Sequence, residues 1–348
     1  MQCFTLFDML VNLHDSISIA SKLTPKRIVN ASKIWASYHR SRLAGKASIK
    51  GLPISLAIEP TTACNLRCPE CPSGLRSFSR PTGRLDQDLF SKVIEEVADH
   101  LIYLTFYFQG EPYLNPKFLE MVKVASAKNI YTTTSTNAHF LDEVQAKKTI
   151  ESGLDRLIIS IDGASQETYA SYRKEGDLTK VLSGTKEILK WKRKLNSSSP
   201  KVVWQFLVVK PNEHEIPTIK RLAREYGVDK VAFKTAQIYD YQNGSDLIPS
   251  LEKYSRYRKN DDGSYSIKNR LDDKCWKMWQ SSVITWDGQV IPCCFDKDAT
   301  HSMGSVVNRR FDAIWNSKSY DNFRNAILSS RSDIEICKNC TEGLKVWA

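Results

Sequence analysis

Three cysteines at spacings of four and three residues form the group in this sequence that could do chemistry. Cys64, Cys68 and Cys71 stand close together, and thiolates at such spacings bind an iron–sulfur cluster or zinc. Three protein ligands leave one iron of a four-iron cluster without a protein ligand, and an open metal position is where catalysis takes place. Pro69 and Pro72 disfavour a helix here, so we expect a loop around a metal centre.

A second set of cysteines lies near the C-terminus, around a hairpin pattern centred on Asp287-Gly288. Four thiolates there would make a closed site, structural with zinc and redox-active with an iron–sulfur cluster. Neighbouring side chains on an extended strand point apart, so one thiol of the adjacent Cys293 and Cys294 should face the site. The candidate ligands are Cys275, Cys293 or Cys294, Cys337 and Cys340.

Strand-like and helix-like runs alternate from Ser55 onward. This alternation implies parallel strands with right-handed helical crossovers, and chemistry at the carboxyl ends of the strands. After a first strand near Ser55, the predicted strands are Tyr103–Phe108, Tyr131–Ser135, Arg156–Ile161, Val202–Val209 and Lys230–Lys234. The predicted helices are Leu85–Val97, Lys117–Lys128, Leu141–Ser152, Val181–Leu195 and Ile216–Tyr226.

The cysteine loop that follows the first strand resembles the signature of the radical S-adenosylmethionine enzymes. In that family the open iron chelates the amino and carboxylate groups of S-adenosylmethionine, which is cleaved to a 5′-deoxyadenosyl radical that abstracts a hydrogen atom. The resemblance implies an α/β fold, a partial (β/α)6 TIM-like barrel with a small C-terminal iron–sulfur domain. Glu70 departs from the family, which usually has an aromatic residue there, near the adenine. A zinc knuckle or three unrelated buried cysteines are the alternatives.

Two strand ends carry further motifs of this kind. Gly110-Glu111 resembles the family's Gly-Glu-Pro motif, which binds the methionyl ammonium, although the same residues alone would read as a turn. Glycine lets the backbone approach a ligand, and a carboxylate accepts from a positive group. Ser160 lies in a stretch that looks like the family's Ser-x-Asp-Gly and would bind the cofactor's ribose or carboxylate, while Asp162 orders the loop.

Three more side chains are candidate cofactor contacts. Ser135 and Asn137 end the third predicted strand, where they could reach ribose oxygens or the cofactor carboxylate, or act as a helix cap or turn. Arg173 is a candidate carboxylate partner because a guanidinium can clamp a carboxylate with two bonds. A surface arginine is the other interpretation.

The second cysteine set resembles the short "twitch" version of the SPASM domain, which carries one auxiliary four-iron cluster. The resemblance favours Cys293, which lies 18 residues after Cys275, and leaves Cys294 as a small buried residue. A zinc site with the same ligands is the alternative. The predicted domains are a basic helical arm (1–50), the radical barrel (51–240), a linker with a small hairpin (241–270) and the auxiliary-cluster domain (271–348).

Charge and hydropathy limit the partners and the cellular location that this protein could have. The net charge is +11, and residues 1–50 hold eight Lys or Arg against two Asp, while residues 4–13 are mostly apolar. This arm could meet an acidic partner or an anionic membrane surface, or form solvated helices packed across the barrel. No basic stretch carries the aromatic interleaving of nucleic-acid binding, and no apolar run is long enough to span a membrane. With no export signal, we expect a cytoplasmic protein.

These features together predict a radical S-adenosylmethionine oxidoreductase with two [4Fe-4S] clusters. A closed auxiliary cluster suits electron relay, so the expected chemistry is hydrogen abstraction and a net two-electron oxidation of a small or carbohydrate-like substrate. The alternatives are a peptide-modifying radical maturase and a non-enzymatic zinc or iron–sulfur scaffold. A peptide-leader module needs strands that the first 50 residues do not show. The resemblance also implies an electron donor such as flavodoxin or ferredoxin.

Overall fold

A computed structural model describes residues 13–344 of the chain. Most of the apolar stretch predicted over residues 4–13, and the last four residues, lie outside the described range. The described residues form an α/β structure with a mixed nine-stranded sheet and a separate two-stranded sheet.

Six parallel strands form the partial barrel that the alternating pattern predicts. They lie side by side in chain order, each paired with the next. The second strand ends three residues before the predicted end, because the buried chain from Phe106 onward leaves the ladder towards Gly110. The strands are β1 (Ser55–Ile58), β2 (Tyr103–Thr105), β3 (Tyr131–Thr136), β4 (Arg156–Ser160), β5 (Lys201–Val208) and β6 (Lys230–Thr235).

Helices between the strands pack on the sheet in one hydrophobic core. Asp86, Asp142 and Asp177 cap three of them by accepting backbone N–H bonds, which fixes helix starts that differ by two or three residues from those predicted. The helices up to β6 are α1 (Leu13–Ser21), α2 (Pro25–Ala44), α3 (Pro72–Leu75), α4 (Gln87–Val97), α5 (Phe118–Ala127), α6 (Glu143–Glu151), α7 (Gln166–Tyr172), α8 (Leu178–Lys194) and α9 (Ile216–Tyr226).

The first two helices pack across the amino ends of the barrel strands. Asp15 on α1 is buried and ion-paired with Arg156 at the start of β4, and it accepts a bond from the Tyr131 hydroxyl at 2.8 Å. Arg27 on α2 is buried and donates to four backbone carbonyls, including those of residues 98 and 128. One face of the basic N-terminal region is therefore part of the barrel.

The C-terminal part extends the same sheet. The predicted hairpin is confirmed, and its first strand pairs in parallel with β1 at the open edge of the barrel. The remaining strands are β7 (Tyr257–Lys259), β8 (Tyr265–Ile267), β9 (Ser281–Ile284), β10 (Gln289–Ile291) and β11 (Gly304–Ser305). The remaining helices are α10 (Lys277–Gln280), α11 (Phe311–Trp315) and α12 (Lys318–Ser330). The predicted domain boundaries stay predictions.

Short 3-10 turns complete the chain at Pro112–Leu114, Lys210–Glu215, Glu252–Tyr254, Arg331–Asp333 and Glu335–Cys337. Within residues 13–344, no helix is both long and apolar enough to cross a membrane.

Candidate active site and auxiliary thiol site

The cysteine loop leaves β1 and lies over the carboxyl ends of the strands. Cys64, Cys68 and Cys71 all line one cavity there. The Cys71 amide donates to the Cys68 carbonyl at 3.3 Å, which turns the loop between its second and third thiol. Gly74 closes the turn, because a Cβ there would lie 2.6 Å from the Cys68 backbone. The sequence can therefore fold this tightly only with glycine at that position.

The electrostatics of these thiols suit a metal cluster. Burial raises the pKa of Cys64 to about 12 and also raises that of Cys68, and neighbouring thiolate charge adds to both effects. Neutral thiols are therefore favoured until a metal compensates their charge. The Leu66 amide donates to Cys64 Sγ at 3.4 Å, and such N–H contacts to sulfur are typical of iron–sulfur sites. The donor set thus fits a cluster held by three cysteines.

Gly110 and Glu111 form a buried acceptor beside the cysteine loop. Gly110 has φ +72°, and a Cβ there would lie 2.2 Å from the Thr61 carbonyl oxygen. Glu111 is only 2% exposed and accepts bonds from the Thr136 hydroxyl at 2.7 Å and the Asn137 amide at 2.8 Å. Burial raises the pKa of this carboxyl to about 7. Among the described residues it has no ion-pair partner, so a cationic ligand group would be stabilised here.

The other predicted cofactor residues reach the same cavity. Ser135 and Asn137 lie at the end of β3, Ser160 at the end of β4, and Arg173 just after α7, and all four line it. The side-chain amide of Asn137 donates to Asn65 Oδ1 at 2.7 Å, and this hydrogen bond helps to order the cysteine loop. Their roles towards a cofactor stay predictions, but the fold does bring them together.

Arg173 is held in place by a buried carboxylate. Its Nε donates to Asp162 at 2.5 Å, and Asp162 also accepts from the Leu207 amide at 2.6 Å. Its Nη1 lies 3.8 Å from Cys68 Sγ. The nearby negative charge of Asp162 and Cys68 outweighs burial and raises the pKa of Arg173. This guanidinium therefore stays charged next to a cluster thiol.

The four auxiliary candidate thiols influence one another electrostatically in the C-terminal part. Burial raises the pKa of Cys337 to about 12, and charge on Cys275 and Cys340 adds to the effect. Burial also raises the pKa of Cys293, followed by the charges of Cys340 and Cys275. Gly343 packs against this site, since a Cβ there would lie 2.4 Å from Cys275 Sγ. The four thiols therefore suit a shared centre.

The two adjacent cysteines have different surroundings. Cys294 is half-buried against the apolar side chains of Phe108, Val283 and Ile291. The charges of Cys340 and Cys275 act on the Cys293 thiol, which also lies near Tyr320. This arrangement supports Cys293 as the ligand. The two cysteines do not lie on the extended strand that was expected, because β10 ends at Ile291 and the Asp296 amide donates to the Cys293 carbonyl at 3.0 Å in a turn.

Within residues 13–344, no three ligand-type side chains converge tightly enough to hold a single metal ion. In a four-iron cluster each thiolate binds a different iron, so the sulfurs stand further apart than around one zinc ion.

Several residues of these sites were missed in the sequence. Arg331 is fully buried and donates to Cys340 Sγ at 3.3 Å and to the Glu342 carbonyl at 2.7 Å. Lys297 lines the cysteine-loop cavity and donates to the Tyr239 hydroxyl at 2.8 Å, and burial lowers its pKa to about 8. No local motif marks these residues, because each reaches its site from a distant part of the chain.

A buried ion pair joins the cysteine loop to the C-terminal hairpin. Glu59 follows β1, is fully buried, and binds Arg80 through two bonds of 2.7 and 2.6 Å. The same carboxylate accepts from the Trp286 amide in the turn between β9 and β10 at 3.2 Å. This contact ties the loop of the first thiol set to the strands that lead to the second.

Comparison with known proteins agrees with this geometry. Residues 58–230 match the radical SAM superfamily, and residues 275–341 match the SPASM iron–sulfur cluster-binding domain. The chain is 25% identical to the tungsten-containing aldehyde ferredoxin oxidoreductase cofactor-modifying protein of Pyrococcus furiosus, over 82% of this chain and 88% of that protein. It is also 25% identical to the PqqA peptide cyclase of Bradyrhizobium diazoefficiens, over 83% of this chain and 79% of that protein.

A solved structure has the same fold. The S-adenosylmethionine-bound SuiB of Streptococcus suis superposes with a TM-score of 0.60 at 13% identity, over 89% of this chain and 76% of that one. The two matched regions contain all seven predicted cysteine ligands, and the strands between them build the expected barrel. The chain therefore belongs to the radical SAM superfamily, as an S-adenosylmethionine-binding iron–sulfur enzyme with a C-terminal SPASM-type auxiliary cluster domain.

Proposed function

We propose that this enzyme carries out a net two-electron oxidation of a small or carbohydrate-like substrate. The observation that carries the proposal is the set of four candidate thiols at 275, 293, 337 and 340, in a C-terminal part whose strand β9 pairs with β1 of the barrel. When bound, S-adenosylmethionine and the two clusters supply a hydrogen-atom acceptor and a one-electron acceptor. An alcohol carbon that loses a hydrogen atom, an electron and the hydroxyl proton becomes a carbonyl, so atoms and charge balance.

The chain's own residues have two tasks in this proposal. Glu111 holds the positively charged amino group of S-adenosylmethionine, and Ser135, Ser160 and Arg173 line the cavity where its polar groups would lie. Arg331 donates to an auxiliary sulfur, and hydrogen bonds to cluster sulfurs are one of the factors that set reduction potential. The two thiol sites thereby serve different steps.

The lining of the cavity supports the small-substrate proposal. The cavity is lined by many polar side chains, which suits a hydroxylated molecule. The cytoplasm as compartment and flavodoxin or ferredoxin as electron donor belong to the same proposal.

The test is anaerobic reconstitution with iron and sulfide, followed by reductant and S-adenosylmethionine. We expect about eight irons per chain, since each cluster holds four, and formation of 5′-deoxyadenosine. Replacement of Cys64, Cys68 and Cys71 by alanine should abolish the formation of 5′-deoxyadenosine. With polyhydroxylated candidate substrates, mass spectrometry should show loss of two hydrogens per 5′-deoxyadenosine. Equal 5′-deoxyadenosine from both proteins would refute the assignment of these ligands.

A peptide-modifying enzyme is the second candidate. It is favoured by the likeness to PqqA peptide cyclases over most of the chain. The same assay distinguishes the two, because a peptide substrate would lose two hydrogens while gaining an internal cross-link that changes its fragmentation. Turnover of peptides with none of the hydroxylated compounds would favour this candidate over the first.

We also propose that the outward face of α2 meets an anionic lipid surface. Leu43 is 90% exposed and Trp35 is 46% exposed there, with Lys33 and Arg40 also exposed on the same helix. Apolar residues accompanied by basic residues on one helix are typical of interfacial helices. This partner proposal is independent of the chemistry.

A further inference from the structure

The cavity has a second half, on the side of β5 and β6, away from Glu111. Glu111 follows β2, which lies four strands from β6 in the sheet order. The side chains on the β5–β6 half come from two barrel strands, the following loop, the start of β7 and the C-terminal part. They are Gln205, Lys234, Gln237, Arg256 and Lys297. Three of these five carry positive charge.

Arg256 is the most informative member of this group. It is only 4% exposed, and its Nε donates to the Thr235 hydroxyl at 3.2 Å. Its Nη1 has no hydrogen-bond partner among residues 13–344, and no described carboxylate forms an ion pair with it. A buried guanidinium without an anion is costly, so an anion from outside the described chain would stabilise it.

Lys297 and Gln237 add to this polar environment. Lys297 is 7% exposed, and among the described residues its ammonium donates only to the neutral Tyr239 hydroxyl. The nearby carboxylate of Glu70 accepts from the Tyr239 amide at 3.0 Å instead. The buried Oε1 of Gln237 has no donor among the described residues. The site therefore offers two cations and one free acceptor to a ligand.

The charges of Glu342 and Cys340 act on Arg256, but neither residue forms a hydrogen bond with its Nη1. Each thiol site already has its own arginine, since Arg173 lies 3.8 Å from Cys68 Sγ and Arg331 lies 3.3 Å from Cys340 Sγ. Among the described residues Arg256 makes no hydrogen bond to a thiol. A guanidinium fork suits the paired oxygens of a carboxylate or phosphate.

We propose that the substrate carries an anionic group, a carboxylate or a phosphate, which docks on Arg256 and Lys297 at the β5–β6 side of the cavity. A hydroxyl or amide of the same substrate donates to Gln237. The anion thereby holds the substrate on the side of the cavity opposite Glu111. This inference rests on the proposed function and narrows its substrate class to small anionic molecules.

The test measures anion binding without turnover. Malonate and inorganic phosphate are titrated separately into the reconstituted enzyme with S-adenosylmethionine bound, and the heat of binding is recorded. We expect binding of at least one anion, weakened about tenfold or more in Arg256→Gln and in Lys297→Gln. Arg256→Lys should retain part of the affinity, because it keeps the charge. The anion bound more tightly identifies the group as carboxylate or phosphate.

Arg258→Gln is the matched control, because this arginine lies two residues away and is exposed. Its anion affinity should equal that of the wild type. Three results would each overturn the proposal. They are wild-type anion affinity in Arg256→Gln, a loss of affinity in Arg258→Gln as large as that in Arg256→Gln, and no anion binding by the wild type. A shifted cluster reduction potential in Arg256→Gln with unchanged anion affinity would also overturn it. Failure of 5′-deoxyadenosine formation, measured separately, would count against the proposed function instead.

Discussion

Replacement of Glu111 by glutamine should weaken the binding of S-adenosylmethionine. The wild-type carboxylate is 2% exposed and is held by the Thr136 hydroxyl and the Asn137 amide. The cofactor's amino group would be its cationic partner. Loss of such a charge-assisted hydrogen bond costs about 1.5–3 kcal/mol. The dissociation constant should therefore rise roughly 10- to 150-fold, while iron content stays the same.

The same variant should change the pH dependence of binding. Because burial raises the pKa of Glu111 to about 7, about a tenth of the wild-type carboxyl is ionised at pH 6 and about nine-tenths at pH 8. Only the ionised form attracts the cationic amino group. The affinity ratio of wild type to variant should thus widen about tenfold from pH 6 to pH 8. Titration of the cofactor itself occurs with both proteins and cancels in the ratio.

Anaerobic calorimetry or equilibrium dialysis at several pH values would measure this. Glu96→Gln is the matched control, because that carboxylate also accepts a backbone amide, from Phe311 at 2.7 Å, but lies outside the cavity lining. It should bind the cofactor as the wild type does. Unaltered affinity in Glu111→Gln, or a ratio that is flat with pH, would show that Glu111 only caps the 3-10 turn Pro112–Leu114, where it accepts from the Tyr113 amide.

Three further predictions test other parts of the molecule. Cys293→Ala should lower reconstituted iron from about eight towards about four per chain, whereas Cys294→Ala should keep it, and the reverse pattern in iron analysis would exchange the two assignments. Gly343→Ala should also lose auxiliary iron, because the added Cβ would collide with the Cys275 thiol and because residue 343 has φ +81°. Full iron content in this variant would contradict the prediction. Trp35→Ser combined with Leu43→Ser should reduce co-sedimentation with anionic vesicles without lowering the melting temperature. Equal sedimentation of the wild type with neutral vesicles would refute the preference for anionic lipid.

Local patterns were enough to predict the barrel and the positions of its motifs. Alternating apolar runs identified the six barrel strands because parallel strands and their covering helices have different hydrophobic periods. The ends of elements were less well predicted where the chain bends or an acidic cap intervenes. Asp177, for example, accepts from the Thr179 amide and starts α8 at residue 178 instead of 181. Acidic N-cap residues of this kind can be recognised in a sequence, and they would have predicted these helix starts more closely.

The candidate site was predictable only where its residues follow one another closely in the chain. Cys64, Cys68, Cys71 and Glu111 stand in short motifs, so their spacing carries the chemistry. Arg331 reaches its thiol through the fold of the C-terminal part, and a single buried arginine leaves no pattern in sequence. The same holds for the paired bonds between Glu59 and Arg80, which lie 21 residues apart.

The relation between the two thiol sites is set by strand pairing, not by sequence distance. Ile58 at the end of β1 pairs with Ile284 at the end of β9, so the chain leaves both strands at the same edge of the sheet. Cys64 follows the end of β1 after six residues, whereas Cys293 follows β10, which runs antiparallel to β9 and returns the chain towards the other edge of the sheet. A slip of this register would turn the side chains of β9 to the other face of the sheet and would separate Glu59 from the Trp286 amide. The parallel β1–β9 pairing therefore fixes the position of the C-terminal hairpin relative to the strand that leads into the cysteine loop.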